Sequence, residues 1–172
     1  MSRILAAAAV FTTVAFPSIA DEQMTPLAVS GTWIAMAHKP SMIAPPDVCL
    51  AVDSATGVGL WSNGAVVQLR VVNSKWSLPT GVDGQIVVAV GDWNTTLDII
   101  DNSDTVVMAS LEDDQRDALL QAMDKASAMS VKVGKAGPLK VSLSGSTKVT
   151  TAWRTCAGLR SSGGTPDTNP FK

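Results

Sequence analysis

The chain has 172 residues, with 13 basic and 15 acidic side chains, one histidine, two cysteines and no tyrosine. A net charge of −2 with no basic cluster argues against a nucleic-acid binder and against attachment to an anionic membrane surface, since both need concentrated Lys and Arg. One histidine and two cysteines also leave no zinc site of the usual ligand set, and no Gly-rich nucleotide or redox-cofactor fingerprint is present, so no metal or cofactor is expected.

Arg3 is the only charge before Asp21, and residues 4–16 are a thirteen-residue run without a charged side chain. Pro17-Ser18-Ile19-Ala20 then places small residues at the two positions a signal peptidase reads. This is the layout of a secretory signal over residues 1–20, cleaved after Ala20. The run is shorter than the roughly 20 apolar residues a membrane-spanning helix needs. No second run approaches that length, and no Cys follows the cut to carry a lipid anchor. Removing residues 1–20 leaves 172 − 20 = 152 residues and a net charge of 12 − 15 = −3, which suits one periplasmic or secreted domain.

Residues 21–30 are polar and read as a flexible lead-in. The single domain is expected over 31–158. Its first strand, 31–37, sets Trp33, Ala35 and Ala37 on one face by the period of two. Pro40, Pro45 and Pro46 make 38–47 a loop. A short strand, 48–52, carries Cys49 on one face and Val48, Leu50 and Val52 on the other. Another lies around Leu60 and Trp61, and residues 67–71 alternate Val67, Leu69 and Val71 with Gln68 and Arg70, as in a sheet with one wet face. Further strands are read at 85–90 and around Leu97 and Ile99. The turn residues 101–104 then join the latter to 105–109 as a hairpin.

At Ser110 the period changes to helical. Ser110 and Asp113 have capping-box spacing, acids fill the first turn, and Leu119, Met123 and Ala126 share a face, so a helix is expected to about Met129. Strands follow at 130–133 and 139–143. Ser146 is placed to cap a second helix whose Val149, Ala152, Trp153 and Cys156 lie on one face, and Gly158 ends it. Residues 159–172, rich in Ser, Gly, Thr and Pro, read as a disordered tail. Cys49 and Cys156, 107 positions apart, are expected to form one disulfide in an oxidising compartment, the alternative being two buried thiols. The fold class is therefore α+β: a mostly antiparallel β-sandwich or open barrel with two helices in its C-terminal half.

No catalytic set emerges. His38 would have to serve as the base of any Ser-His-Asp triad, yet no Gly-x-Ser-x-Gly supports one, and Ser144-Gly145-Ser146 reads as a helix-cap loop. The acids Asp98, Asp101, Asp104, Glu112, Asp113 and Asp114 suit a turn and a helix start; paired-acid hydrolysis and weak calcium contact are the sharper alternatives, without EF-hand spacing. Among five tryptophans, Trp33 and Trp153 fall on apolar faces. Trp61, Trp76 and Trp93 fall beside turns, where an indole either packs inward or grips a sugar or peptide; these are the candidate binding residues.

The stretch Lys140-Val141-Ser142-Leu143-Ser144-Gly145-Ser146, followed by a short helix ending at Cys156, together with Trp33 in a first strand and Cys49 opening a second, resembles the invasion-associated locus B type of small secreted proteins of alphaproteobacteria. The resemblance implies an exported, β-rich periplasmic or surface interaction protein. The sequence thus points to a non-enzymatic binding protein of the bacterial envelope, with a protein or envelope component as partner; an inhibitor of a secreted lysozyme or protease, inserting the loop 38–47, is the alternative.

Overall fold

The computed structural model describes residues 24–41 and 43–159; the expected signal segment and residues 160–172 of the expected tail lie outside the described residues. Along the chain the elements are β1 (Met24–Ser30), β2 (Trp33–His38), β3 (Val48–Asp53), β4 (Val58–Ser62), β5 (Val67–Val72), β6 (Gln85–Val90), β7 (Trp93–Asp98), β8 (Asp101–Ser103), β9 (Val106–Leu111), α1 (Asp113–Lys125), β10 (Ala128–Val133), β11 (Leu139–Ser142) and α2 (Ser146–Cys156).

The strands form two open antiparallel sheets. The first has seven strands in the order β1-β2-β3-β4-β5-β9-β8, the second four in the order β11-β10-β6-β7. One core serves both sheets and both helices. Trp33, Leu60 and Leu69 of the first sheet, Leu119 and Met123 of α1, and Met129 of β10 line a common interior gap. The indole N–H of Trp33 donates to the Ser142 carbonyl at 2.7 Å, tying the first sheet to the last strand of the second. Helix α2 lies against β1, β2 and β3, and its Trp153 N–H donates to the Cys49 carbonyl at 3.1 Å. The expected disulfide is present: Cys49 on β3 is bonded to Cys156 at the end of α2, with 6.0 Å between their Cα atoms. Only a residue without Cβ fits the start of α2. Gly145 is its N-cap at φ +86°, and an added Cβ would come 2.7 Å from the Ser30 carbonyl oxygen of β1.

Several local expectations are corrected. Residues 24–30, read as part of a lead-in, form edge strand β1, because their backbone pairs with β2 through a bulge between Pro26 and Ala28. The stretch 101–104 is not one turn joining two paired strands. The chain leaves the second sheet after Asp98, Ile99 N–H still bonding the Gly84 carbonyl and Ile100 N–H the Met108 carbonyl, and enters the first sheet as β8. Strand β8 pairs with β9, while β7 pairs with β6. Helix α1 is capped by Glu112 rather than Ser110, which still belongs to β9 and pairs with Gln68 of β5; the Gln115 side chain accepts from the Glu112 N–H at 3.2 Å. The helix ends at Lys125, not Met129, because residues 128–133 bond to β6 and β11. At α2 the N-cap is Gly145; the Ser146 hydroxyl instead donates to the Leu143 carbonyl at 2.8 Å.

Candidate functional site

The two sheets treat their outer faces differently. In the second sheet the inner face is Ile86, Val88, Val90, Leu97, Val131 and Val141, all buried. Its outer face carries the pairs Gln85–Asp98, Val87–Thr96 and Ala89–Asn94, with Lys132 and Lys140 on the neighbouring strands. That is the wet face expected of an antiparallel sheet packed on one side.

The first sheet has no such contrast. Its inner face buries Trp33, Ala35, Cys49, Ala51, Leu60, Leu69 and Ala109. The opposite parity is also largely apolar. Ile34 pairs Val52; Met36 pairs Leu50, which pairs Trp61; Arg70 pairs Met108. These residues are half-buried, held between their neighbours on the same face, and Val29 beside Ile34 and Val72 towards the other edge are 54% and 43% exposed. Both helices lie on the other side of the sheet: α2 through Trp153 and the disulfide, α1 through Leu119 and Met123.

Near the centre of this outer face sits one fixed cation. The Arg70 guanidinium lies 4.1 Å from the Trp61 ring centroid, and its Nε and Nη2 donate to Gln68 Oε1 at 3.0 and 2.7 Å. Gly59, paired directly with Arg70, contributes no side chain to the face. A Cβ there would come 2.6 Å from the Ala51 carbonyl oxygen. The bare position lets the arginine stem lie across β4 towards the indole. Burial pushes the Arg70 pKa below the ordinary arginine value, and Asp101 on β8 opposes that shift. Among the described residues no carboxylate approaches Arg70 within ion-pair distance.

The three tryptophans singled out from the sequence do not share a surface. Trp61 lies on the outer face of the first sheet. Trp93 opens β7 on the inner face of the second, paired with buried Val90, and Trp76 sits in the β5–β6 loop; both pack against the core. Sequence reasoning missed the apolar partners of Trp61, namely Ile34, Met36, Leu50, Val52 and Met108, and the pinning of Arg70. The signal was available: Trp33–His38, Val48–Asp53 and Val58–Ser62 are apolar at both parities, whereas a sheet with one wet face is apolar at one.

The loop 38–47 projects from one end of this sheet. His38 Nδ1 donates to the Asp47 carboxylate at 2.6 Å, and the Asp47 N–H donates to the His38 carbonyl at 3.1 Å, closing the base of the loop. The His38 hydrogen bond holds the Asp47 carboxyl below the usual carboxylate range. Ile43 in the loop is 97% exposed. Among the described residues no hydrogen-bond partner reaches the buried His38 Nε2.

The acids do not converge. Asp98 accepts from Gln85 on the outer face of the second sheet, Asp101 sits on β8, and Glu112 and Asp113 line an open cleft of about 560 Å³ beside Gly64, Val66 and Leu159. In that cleft Arg116 is held by Asp113 at 2.6 Å and by Asp117 at 2.8 Å, and these carboxylates raise its pKa. Two of the cleft's three charged side chains, Asp113 and Arg116, thus pair with each other, while Glu112 serves as the cap of α1. Among the described residues no three His, Cys, Asp or Glu side chains group as metal ligands, and no helix is long and apolar enough to cross a membrane. No family model, curated protein or solved structure matches this chain.

Proposed function

We propose that this is an exported, non-enzymatic binding protein of the bacterial envelope that engages a protein partner through the outer face of its seven-stranded sheet. The reading rests on one observation: Ile34, Met36, Leu50, Val52, Trp61 and Met108 turn an apolar surface away from a core that is complete without them. Contiguous apolar surface on an exported domain marks an interaction site. The disulfide suits an extracytoplasmic compartment, as does the signal reading of residues 1–20. The same class is implied by the resemblance to the invasion-associated locus B type.

A second reading, inhibition of a secreted hydrolase, draws on the loop 38–47. Its base is closed by the His38–Asp47 pair, three prolines stiffen it, and Ile43 stands clear of the surface. A preorganised loop loses little entropy on docking.

One experiment separates the two. Tagged mature protein is incubated with periplasmic extract of its own cells, alongside Leu50→Asp and Ile43→Asp. The face reading expects Leu50→Asp to lower partner retention at least tenfold while Ile43→Asp leaves it unchanged. Full retention by Leu50→Asp, with a melt matching the parent, overturns it.

A further inference from the structure

Building on the docking reading above, we infer that the occupant of this face is a protein segment presenting a carboxylate among apolar side chains, with Arg70 as its anchor. The geometry around Arg70 carries the inference. Its guanidinium is held flat by two neutral groups, the Trp61 ring at 4.1 Å and Gln68 Oε1 at 2.7 Å, within an apolar surface. Its own sheet supplies no carboxylate within ion-pair distance; Asp101, beyond Met108 on β8 and exposed, acts on it only through its charge at longer range. A planar fork of donors, already oriented and partly desolvated, matches the two oxygens of a carboxylate. The apolar side chains around it supply the non-directional part of the contact.

Charge excludes a lipid surface as the better fit. Retention on an anionic bilayer needs several basic residues in one patch. Here Arg70 is the only Lys or Arg on the strands of this face, and the chain carries more acids than bases, 15 against 13.

Area and charge together disfavour a second copy. The apolar face spans β2, β3, β4, β5 and β9. At about 4.8 Å per strand and about 3.3 Å per residue it covers roughly 500 Å² on each partner. That is about 1,000 Å² in total, where permanent homodimers bury about 2,000 Å² or more. A two-fold contact centred on this face would also bring two Arg70 cations together. A transient partner with the opposite charge suits the surface better.

The test is a cycle of two proteins and two peptides. The probes are twelve-residue peptides of alternating Leu and Ser with a central Glu or a central Gln. Their ends are acetylated and amidated, so the Glu side chain is the only carboxylate. Titration calorimetry with the mature chain should show the Glu peptide binding at least tenfold more tightly than the Gln peptide. Arg70→Gln should abolish that preference while retaining the weaker binding, and Leu50→Asp should abolish binding of both. Equal affinities for the two peptides on the parent protein, with both lost in Leu50→Asp, would refute the carboxylate anchor and leave the docking face standing. Binding of neither peptide, or a Glu preference that survives Arg70→Gln, would also overturn the inference. Binding unaffected by Leu50→Asp would overturn the docking face itself. Co-sedimentation with phosphatidylglycerol vesicles that disappears in Arg70→Gln would assign the anchor to a lipid anion instead.

Discussion

Replacing Cys49 and Cys156 together by serine is expected to lower the thermal midpoint by roughly 10–20 °C. The bridge closes a loop of 107 residues, from the third strand to the last helix. For a loop near that length, restriction of the unfolded chain corresponds to about 4.7 kcal/mol in the chain-entropy account. In a domain of this size, each kcal/mol shifts the midpoint by about 2–4 °C. The native state contributes in the same direction. The bridge clamps α2 onto the inner face of the first sheet, where Trp153 buries its indole and reaches the Cys49 carbonyl. Differential scanning calorimetry of oxidised parent and variant reads the shift directly. Coincident melts would show that the clasp is not what holds the helix in place.

Trp153→Ala should be nearly as damaging, at about 3–5 kcal/mol in denaturant unfolding. The side chain is fully buried beside Val149 on the face of α2 that meets β1, β2 and β3. Its removal leaves a large cavity and deletes a buried hydrogen bond to Cys49. Trp61→Ala, by contrast, should cost less than about 1.5 kcal/mol, since Trp61 is half-buried and stands outside the core cluster. Equal losses for the two substitutions would mean that the outer face is structural rather than free for a partner.

Much of the architecture was legible in the chain because burial was strongly patterned. Trp33, Ala35 and Ala37 fall inward together, as the alternation requires. The helical spacing of Val149, Trp153 and Cys156 brought the second thiol to the first. The errors lie where tertiary pairing overrides local preference. Asp101, Asn102 and Ser103 are turn formers, yet β9 has an open edge and takes them as a strand. Ser110 has the chemistry of a helix cap, but its backbone is committed to Gln68, which pushes the N-cap to Glu112. Residues 24–30 lack the alternation of a sheet face because the bulge between Pro26 and Ala28 breaks the period of two, and as an edge strand they are largely exposed.

The candidate site was legible only in part, for a different reason. Trp61 was noticed because of the turn beside it, whereas its importance comes from strands distant in sequence. Leu50 pairs with it from β3, Arg70 reaches it diagonally from β5, and Gly59 clears the space beside it. The alternation of Gln68 and Arg70 reads as a solvated face. In the folded sheet those two residues, with Ser110 paired to Gln68, interrupt a face that is otherwise apolar across β2 to β5. No local pattern distinguishes these cases, because the distinction depends on which strands become neighbours.

The methionines offer the most direct reading of the docking claim. Met36 and Met108 lie on the outer face of the first sheet, while Met123 and Met129 are buried in the core. With carbon-13 in the methionine methyls, titration of the full mature chain with the Glu-centred peptide should shift the Met36 and Met108 resonances progressively and leave Met123 and Met129 in place. A complex that forms while Met36 and Met108 stay unmoved would contradict the assignment of this face as the binding surface.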